Sequence, residues 1–243
     1  MSEVSVVEIF SSIQGEGKYA GCRQVFVRMA GCNLACRYCD TPDSRNPVLQ
    51  ACIECNPGKR DFISANNPLS VEEVSGYINN LLVSPHHSVS FTGGEPLCQL
   101  DALKELVQHT HGKSYLETNG TMPDALKVLL PYIDIVSMDI KLPSVTGQEY
   151  WTEHEKFLQL AVEKDIFVKV VVTGDTHLSE FMRAMNLVAK VDPAILVVIQ
   201  PVTPLHGVLG ISPEKMLEFQ AVALDLVRDA RVIPQTHKFM GQL

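Results

Sequence analysis

Short apolar runs rich in Val and Ile alternate with stretches of helical periodicity from residue 24 to the end of the chain. This alternation is typical of repeated βα units and predicts a mainly parallel sheet. We therefore expect an α/β fold, a whole or partial (β/α) barrel, with an extra strand at 4–9 outside the repeat. The strands of the repeat are predicted at 24–28, 88–92, 114–118, 134–140, 166–173, 195–200 and 230–234.

Helix starts are visible between these strands. Ser70 with Glu73 forms a capping box, and Ser212 followed by Pro213 is a typical first turn. The helix that starts at Pro123 is short, so we expect the helical layer to be incomplete at this point. Helices are predicted at 71–83, 101–111, 123–130, 149–164, 178–190 and 213–228.

Polar and glycine-rich segments follow the predicted strands at the points where the strands end. In a (β/α) barrel, the carboxyl ends of the strands and the loops after them build the active site. We therefore expect these segments to converge on one mouth. They are 31–41, 92–96, 117–120, 139–141, 200–201 and 235–238.

Three cysteines stand in one loop directly after the first strand of the repeat. Cys32, Cys36 and Cys39 have the spacing C-x3-C-x2-C. Iron–sulfur clusters normally take four cysteines and structural zinc takes four ligands, so three thiolates indicate a four-iron cluster with one iron open to an exogenous ligand. The alternative is a zinc knuckle completed by a distant residue, but zinc knuckles usually come as two separated pairs.

The remaining cysteines carry less information. The chain has seven in all, and an odd number with a tight cluster fits a reducing compartment better than a disulfide framework. Cys22 and Cys98 are isolated in the sequence. We expect both to be ordinary small side chains that are buried or half-buried. Cys52 and Cys55 form a C-x2-C pair within 43–67, which we expect to be an inserted loop after the cluster motif. We interpret the pair as a feature of this loop, with a second metal site as the alternative.

Composition narrows the class of protein. The chain of 243 residues is 46% apolar and 20% charged, so it can bury one large core, and we expect a single domain over 1–243. A formal net charge of −8 and the lack of a Lys/Arg run argue against nucleic acid as a partner. Residues 1–10 lack a signal-peptide pattern, and no apolar stretch is as long as a membrane span. We expect a cytoplasmic protein with no membrane partner.

The sequence Gly93-Gly94-Glu95-Pro96 follows the cysteine loop by one βα unit. A Gly-Gly pair alone is a weak signal because it marks turns everywhere, but here glycine would let a ligand's amino or carboxylate group approach the backbone closely. The combination resembles the radical S-adenosylmethionine (radical SAM) enzymes, and the resemblance covers nearly the whole chain. It implies a partial barrel of that type.

This resemblance also implies the chemistry. The open iron of a 4Fe-4S cluster would bind the amino and carboxylate groups of S-adenosylmethionine, and an electron donor such as flavodoxin or ferredoxin would supply the electron that cleaves it to methionine and a deoxyadenosyl radical. The radical arises on the cofactor, so no protein side chain is assigned as catalytic. For Asp139 and Lys141 the alternative is a surface ion pair. The implied contacts to S-adenosylmethionine are Gly94, Glu95, Ser137, Asp139, Lys141 and Gln200.

A narrower resemblance appears at the two ends of the chain. The segment Phe-Ser-Ser-Ile-Gln-Gly-Glu-Gly at 10–17, Phe-Val-Arg at 26–28, Cys-Asp-Thr at 39–41 and the terminal stretch 235–243 resemble the 7-carboxy-7-deazaguanine synthase family. That family contracts the ring of 6-carboxy-5,6,7,8-tetrahydropterin to 7-carboxy-7-deazaguanine with release of ammonia, in the biosynthesis of queuosine and other 7-deazapurines. The resemblance further implies a homodimer.

Carried over residue by residue, the resemblance assigns a pterin pocket. Gln14, Gly15 and Glu16 would contact the ring edge, whereas the alternative is a glycine-rich turn that leaves Gln14 and Glu16 unexplained. Arg28 would hold the substrate carboxylate, which suits the bidentate fork of a guanidinium. The complete set of predicted substrate contacts is Ile13, Gln14, Gly15, Glu16, Arg28, Thr92, Glu117, His237 and Leu243.

Thr41 follows the cluster loop directly and would, by the same resemblance, bind Mg²⁺. One neutral hydroxyl is a poor magnesium ligand unless other oxygens contribute. We therefore expect Mg²⁺ to bind appreciably only together with substrate oxygens and water.

Two other functions remain open at this point. A glycyl-radical-enzyme activating enzyme has the same cysteine spacing but acts on a protein, and the matches at 14–16 and 235–238 count against it. An iron–sulfur electron carrier or redox sensor would use the cluster alone and would need neither the Gly-Gly-Glu loop nor Arg28. Cleavage of S-adenosylmethionine separates the carrier from the two enzymes.

Overall fold

One ten-stranded sheet organises the protein, for which a computed structural model describes residues 2–204 and 207–243. The strands are β1 (Glu3–Val4), β2 (Val6–Ile13), β3 (Arg23–Met29), β4 (Gln50–Glu54), β5 (Phe62–Asn66), β6 (Leu69–Ser70), β7 (Ser88–Gly93), β8 (Ser114–Thr118), β9 (Ile135–Asp139), β10 (Asp165–Val172), β11 (Leu196–Pro201) and β12 (Ala230–Val232). The helices are α1 (Val71–Leu81), α2 (Leu100–His109), α3 (Pro123–Leu129), α4 (Pro143–Thr146), α5 (Trp151–Ala161), α6 (Leu178–Val191), α7 (Pro213–Leu224) and α8 (Thr236–Met240).

The strand order is β12-β11-β10-β9-β8-β7-β3-β2-β4-β5, and the described sheet is an open, partial barrel. Every neighbouring pair from β12 to β3 is parallel, which confirms the predicted βα repeat. The predicted N-terminal extra strand is β2, which runs antiparallel to β3. It extends to Ile13, four residues beyond the predicted end.

Helices α1, α2, α3, α5, α6 and α7 cross over between successive parallel strands and pack side by side in that order. The capping box of α1 is present as predicted: Ser70 Oγ accepts a hydrogen bond from Glu73 N, and Glu73 Oε2 accepts one from Ser70 N. Such a cap contributes about 1 kcal/mol to helix stability. The shortest crossover helix is α3, at the predicted place.

The segment 43–67 is the main departure from the expected architecture. In place of an inserted loop it contains the hairpin β4–β5, and β4 adds to the sheet beside β2 through the pairs Glu8↔Cys52 and Ile9↔Ile53. The sequence does not show these two strands because each contains a single β-branched residue, whereas most of the predicted strands are rich in Val and Ile. These strands are held by the neighbouring edge of β2.

The inner face of the sheet changes from apolar to polar along the strands. Because alternate residues of a strand share a face, Phe167 and Lys169 of β10 lie on the same side, as do Ile135 and Asp139 of β9. The apolar residues of this face form a small buried cluster of Tyr115, Ile135, Phe167, Leu196 and Val198. The polar group lies nearer the carboxyl ends and consists of Glu117, Ser137, Asp139, Lys169 and Gln200.

The opposite face of the sheet packs against the helices in one large apolar core. Phe181 of α6 and Phe219 of α7 stack within it, with ring centroids 4.6 Å apart. This core fixes the strands and therefore the positions of the polar residues at their carboxyl ends. None of the helices in the described part of the chain has the length and apolar character that a membrane crossing requires.

Candidate active site

A cavity of about 460 Å³ opens at the carboxyl ends of the parallel strands, where the sequence predicts the mouth. All the predicted site residues except Glu95 lie on its wall. Those residues are Ile13, Gln14, Gly15, Glu16, Arg28, Cys32, Cys36, Cys39, Thr41, Thr92, Gly94, Glu117, Ser137, Asp139, Lys141, Gln200, His237 and Leu243. The structure brings them together, while their individual roles as ligands stay predictions.

The three cysteines occupy one end of this cavity. Cys36 packs with Leu34 and Val145 in a small apolar cluster, and Cys32 and Cys39 lie against it. Leu34 N donates a hydrogen bond to Cys32 Sγ at 3.4 Å, a contact of the kind that tunes cluster sulfurs. Burial raises the pKa of the Cys32 and Cys36 thiols, so thiolate there calls for a nearby positive charge such as iron.

The described side chains form no compact site for a single metal ion. Within residues 2–204 and 207–243, no three His, Cys, Asp or Glu side chains gather around one point as an ion would require. A four-iron cluster is wider than an ion, so its cysteines surround a larger volume. This arrangement disfavours the zinc alternative at Cys32, Cys36 and Cys39. It also offers no described third ligand to Cys52 and Cys55.

Gly94, directly after β7, is required by a contact between two loops of the protein. A Cβ on Gly94 would lie 2.1 Å from Gly31 O and 2.7 Å from Ser44 O. Glu95 N donates to the same Gly31 O at 2.8 Å. Gly94 therefore packs directly against the loop that carries the cysteines, and this contact requires glycine whether or not a ligand also approaches.

Glu95 does not fit the predicted contact with S-adenosylmethionine. Its side chain is fully buried, and its carboxylate accepts hydrogen bonds from Leu97 N, Thr118 Oγ1 and Asn119 N at 3.1, 2.9 and 2.7 Å. Burial raises the pKa of Glu95 to about 7. The residue ties the loop after β7 to the end of β8, a positioning role that the motif alone did not reveal.

Asp139 and Lys141 form an ion pair beside the cysteine loop. Lys141 Nζ lies 2.8 Å from Asp139 Oδ2 and also sits over the ring of Tyr38, 5.2 Å from its centroid. The two side chains are only 11% and 14% exposed, so the alternative of a surface ion pair is wrong. The pair is part of the cavity wall.

Buried polar atoms without partners support a ligand at this end. Asp139 Oδ1, Gln200 Oε1 and the Tyr38 hydroxyl are buried, and the described residues provide none of them with a hydrogen bond. Buried polar groups are normally satisfied. The two acceptors at the cavity wall fit a ligand that carries hydroxyl or amino donors, as S-adenosylmethionine does.

The other end of the cavity contains a hydrogen-bonded network around Glu117. Gln14 Nε2 donates to Glu117 Oε1 at 2.9 Å, and the Ser90 and Thr92 hydroxyls donate to the same carboxylate at 2.9 and 3.1 Å. Gln14 Nε2 also donates to Gln24 Oε1 at 3.0 Å. Gln14 therefore orients the carboxylate of Glu117. Three side chains donate to this carboxylate, a role that the sequence did not indicate.

Glu16 pairs with a lysine that sequence reasoning missed. Lys169 Nζ lies 2.5 Å from Glu16 Oε2, and Gln235 Nε2 donates to Glu16 Oε1 at 2.7 Å. Burial alone would raise the pKa of Glu16, but Lys169 outweighs it and lowers the pKa to about 2. The available signal was a single lysine inside the apolar run of β10.

The C-terminal segment closes the same end. Thr236 N donates to Gly15 O at 2.9 Å, and a Cβ on Gly15 would lie 2.1 Å from His237 Nδ1. Arg60 Nη2, from the loop of the β4–β5 hairpin, donates to Gly241 O at 2.5 Å. The helix α8 is thus held against the turn at 14–16, and His237 and Leu243 reach the cavity wall.

Partial barrels of this kind, with three cysteines in the loop after the first parallel strand, define the class of radical SAM proteins. Residues 26–188 match the Radical SAM superfamily. Among solved structures, the fold resembles that of QueE from Escherichia coli, with a TM-score of 0.61 at 20% identity over 97% of this chain and 95% of that one. It also resembles a radical SAM methyltransferase from Sphaerobacter thermophilus, with a TM-score of 0.60 at 12% identity over 88% and 66% of the two chains.

Sequence relatives are more specific. A 7-carboxy-7-deazaguanine synthase from Geobacter sulfurreducens is 45% identical over 242 residues, which cover 97% of this chain and 96% of the relative. The enzyme of that name from Archaeoglobus fulgidus is 36% identical and covers 98% of both chains. The chain belongs to the 7-carboxy-7-deazaguanine synthase family within the radical SAM superfamily. The alternatives of an activating enzyme and an electron carrier are not favoured.

Proposed function

We propose that this chain converts 6-carboxy-5,6,7,8-tetrahydropterin to 7-carboxy-7-deazaguanine and ammonia, in the biosynthesis of queuosine and other 7-deazapurines. It would be a carbon–nitrogen lyase that depends on S-adenosylmethionine, a 4Fe-4S cluster and Mg²⁺. The observation that carries this proposal is that the three-cysteine loop and the residues that match the family's pterin pocket line the same cavity.

Cys32, Cys36 and Cys39 would hold the cluster, with S-adenosylmethionine on the remaining iron and against Asp139 and Gln200. When bound, these groups would supply the abstraction of a hydrogen atom from the substrate and its return to the rearranged ring, since conversion to the deazapurine and ammonia is redox-neutral overall. The protein positions the pterin and excludes water from the reacting carbon. Lys141, beside the ring of Tyr38, keeps the charge of this wall balanced against Asp139.

Arg28 would bind the carboxylate of the pterin. Its Nε is occupied by Glu8, so the terminal Nη groups remain to form the two parallel hydrogen bonds that a carboxylate accepts. The carboxylates of Glu16 and Glu117 would accept the N–H donors of the ring edge. In this proposal the substrate carboxylate lies at β3, and Thr92, the register partner of Arg28, connects that strand to Glu117 through a hydrogen bond.

Thr41 would contribute its hydroxyl to Mg²⁺, together with substrate oxygens and water. Its backbone oxygen is used within the protein, where it accepts from Ser44 Oγ at 2.7 Å. Mg²⁺ near the substrate carboxylate would stabilise negative charge during the rearrangement. The electron would come from a flavodoxin or ferredoxin. We also propose a single functional domain over 1–243, a homodimer and a cytoplasmic location.

Anaerobic turnover tests this proposal. Reconstituted, reduced protein is incubated with S-adenosylmethionine, Mg²⁺ and 6-carboxy-5,6,7,8-tetrahydropterin, and 5′-deoxyadenosine and 7-carboxy-7-deazaguanine are measured together. We expect 7-carboxy-7-deazaguanine as the main product and a smaller amount of 5′-deoxyadenosine, because the conversion is redox-neutral and the abstracted hydrogen returns to the substrate. If only deoxyadenosine forms, the protein is a radical SAM enzyme with a different substrate. If neither product forms although the cluster is intact, the protein is better explained as an electron carrier.

A further inference from the structure

Lys169 lies between the two ends of the cavity. It projects from β10, where it is the register partner of Asp139 on β9, and its side chain is 11% exposed. Its Nζ is 2.5 Å from Glu16 Oε2 and 3.5 Å from Asp139 Oδ2. One ammonium therefore contacts Glu16, a predicted pterin contact, and Asp139, a predicted contact to S-adenosylmethionine.

A lysine is rarely buried to this extent unless its charge is paired with a carboxylate. Burial favours the neutral amine, and an unpaired lysine at such depth loses its proton readily. Here burial lowers the pKa of Lys169, but Glu16 and Asp139 outweigh that effect and raise the pKa above its ordinary value. Lys169 therefore stays protonated, and its charge is the main influence that keeps Glu16 ionised.

We propose that Lys169 is a positioning residue that keeps Glu16 ionised and directed at the pterin. This rests on the proposed function, because it takes Glu16 as a substrate contact. Glu16 has one further described hydrogen bond to its carboxylate, from Gln235, and a neutral amide does not supply the charge that holds a buried carboxylate ionised. Without Lys169, burial makes Glu16 a carboxylic acid, in which one of the two acceptor oxygens becomes an O–H donor facing the ring edge.

The neighbouring groups determine how this is tested. The charged and titratable groups that act on the Glu16–Lys169 pair are His237 of α8, Tyr115 and Glu117 of β8, Asp139 of β9 and Lys141 directly after β9. Burial raises the pKa of Tyr115, so this residue stays neutral. Burial lowers the pKa of His237 below its ordinary value. A test must separate Glu16 from His237 and from the pterin itself.

The experiment measures the Kd of 6-carboxy-5,6,7,8-tetrahydropterin by anaerobic calorimetry between pH 5 and pH 8. The protein carries its cluster and S-adenosylmethionine, and no reductant is added, so that no turnover occurs. Wild type is compared with Lys169→Met, Lys169→Arg and the double variant Glu16→Gln/Lys169→Met. Iron content and thermal unfolding establish that each variant is folded, and Lys169→Gln replaces Lys169→Met if the latter does not fold.

We expect the affinity of Lys169→Met to fall as pH decreases, by about tenfold for each pH unit below the raised pKa of Glu16. Lys169→Arg should restore the wild-type profile, because it keeps the charge. The double variant should bind weakly with the wild-type pH dependence, since its Glu16 carboxyl is gone. A Lys169→Met profile parallel to wild type, or an excess dependence that survives in the double variant, would overturn the proposal.

A second readout does not require the substrate. Carbon-13 spectra of glutamate carboxyls, assigned by difference with Glu16→Gln, follow the ionisation of Glu16 directly. We expect no titration of Glu16 above pH 4 in wild type, as its pKa of about 2 requires, and titration above the ordinary value in Lys169→Met. If wild type does not bind the pterin at all, the proposed function fails, and this measurement still decides the role of Lys169.

Discussion

Arg28 reaches the cavity with one edge of its guanidinium already bound: its Nε donates to Glu8 Oε1 at 2.6 Å. The two residues are register partners on the antiparallel strands β2 and β3, and their side chains are 18% and 24% exposed. The ring of Phe10 lies beneath the guanidinium, 5.9 Å from its carbon. These contacts fix the plane of the fork before a ligand arrives, which reduces the entropy lost when a carboxylate binds.

Replacing Arg28 with Ala should raise the KM for the pterin by about 10- to 100-fold and impair turnover, because charged hydrogen bonds contribute about 1.5–3 kcal/mol each. Glu8→Gln should give a smaller rise, since the fork is still present but less firmly oriented. Steady-state kinetics with both variants test this. Cleavage of S-adenosylmethionine without substrate serves as the control and should stay near the wild-type rate. Unchanged pterin kinetics in Arg28→Ala would remove Arg28 from the pocket.

Thr41→Ala should suppress Mg²⁺-stimulated turnover while leaving the iron content unchanged. The reason is that the hydroxyl contributes to the metal only when substrate oxygens are also present. The measurement is turnover against Mg²⁺ concentration in both proteins, and Thr41→Ser is the matched control that keeps the oxygen. Full stimulation by Mg²⁺ in Thr41→Ala would refute the metal assignment.

Gly94→Ala should destabilise the protein, because the added Cβ would lie 2.1 Å from a backbone oxygen that cannot move independently. We expect the free energy of unfolding to fall by about 1–3 kcal/mol, as is usual for overpacking. Reconstituted iron should fall as well, since Gly31 belongs to the cysteine loop. Denaturant unfolding and iron analysis measure the two effects.

Gly76 provides the control for that substitution. It lies within α1, and a Cβ there meets no atom within 4 Å. Gly76→Ala should therefore stabilise the protein by about 1 kcal/mol through helix propensity. If the Gly94→Ala and Gly76→Ala proteins were equally stable, the contact between position 94 and the cysteine loop would not require glycine.

Cys52→Ser/Cys55→Ser should keep the iron content of the parent protein. Cys52 is exposed on β4, and no described third ligand accompanies the pair. Cys36→Ser, at a buried thiol of the cluster loop, is the comparison and should lose iron. A loss of iron beyond one cluster from the Cys52→Ser/Cys55→Ser protein would establish a second metal site.

The sequence predicts most of the sheet because the relevant signals are local. The apolar runs of β3 and β7–β12 show their strands directly, and the cysteine loop at 31–41 lies at the end of the first of them. Once the strands are parallel, their carboxyl ends must meet at one edge. The position of the cavity could therefore be predicted without any knowledge of side-chain contacts.

Contacts between distant segments could not be predicted in this way. Glu16 and Lys169 are separated by 153 positions, and no local pattern links them. The direction of the Glu95 side chain depends on the backbone of Asn119 at the end of another strand. The hairpin β4–β5 depends on the free edge of β2. Each of these features arises from packing between elements, which the order of residue types does not record.

The most direct test of the account asks whether S-adenosylmethionine and the pterin occupy one cavity side by side. Substrate carrying deuterium at the ring carbon that bears the carboxylate is turned over anaerobically, and 5′-deoxyadenosine is analysed by mass spectrometry. The account predicts deuterium in the deoxyadenosine that accompanies 7-carboxy-7-deazaguanine. Unlabelled deoxyadenosine formed together with that product would contradict it.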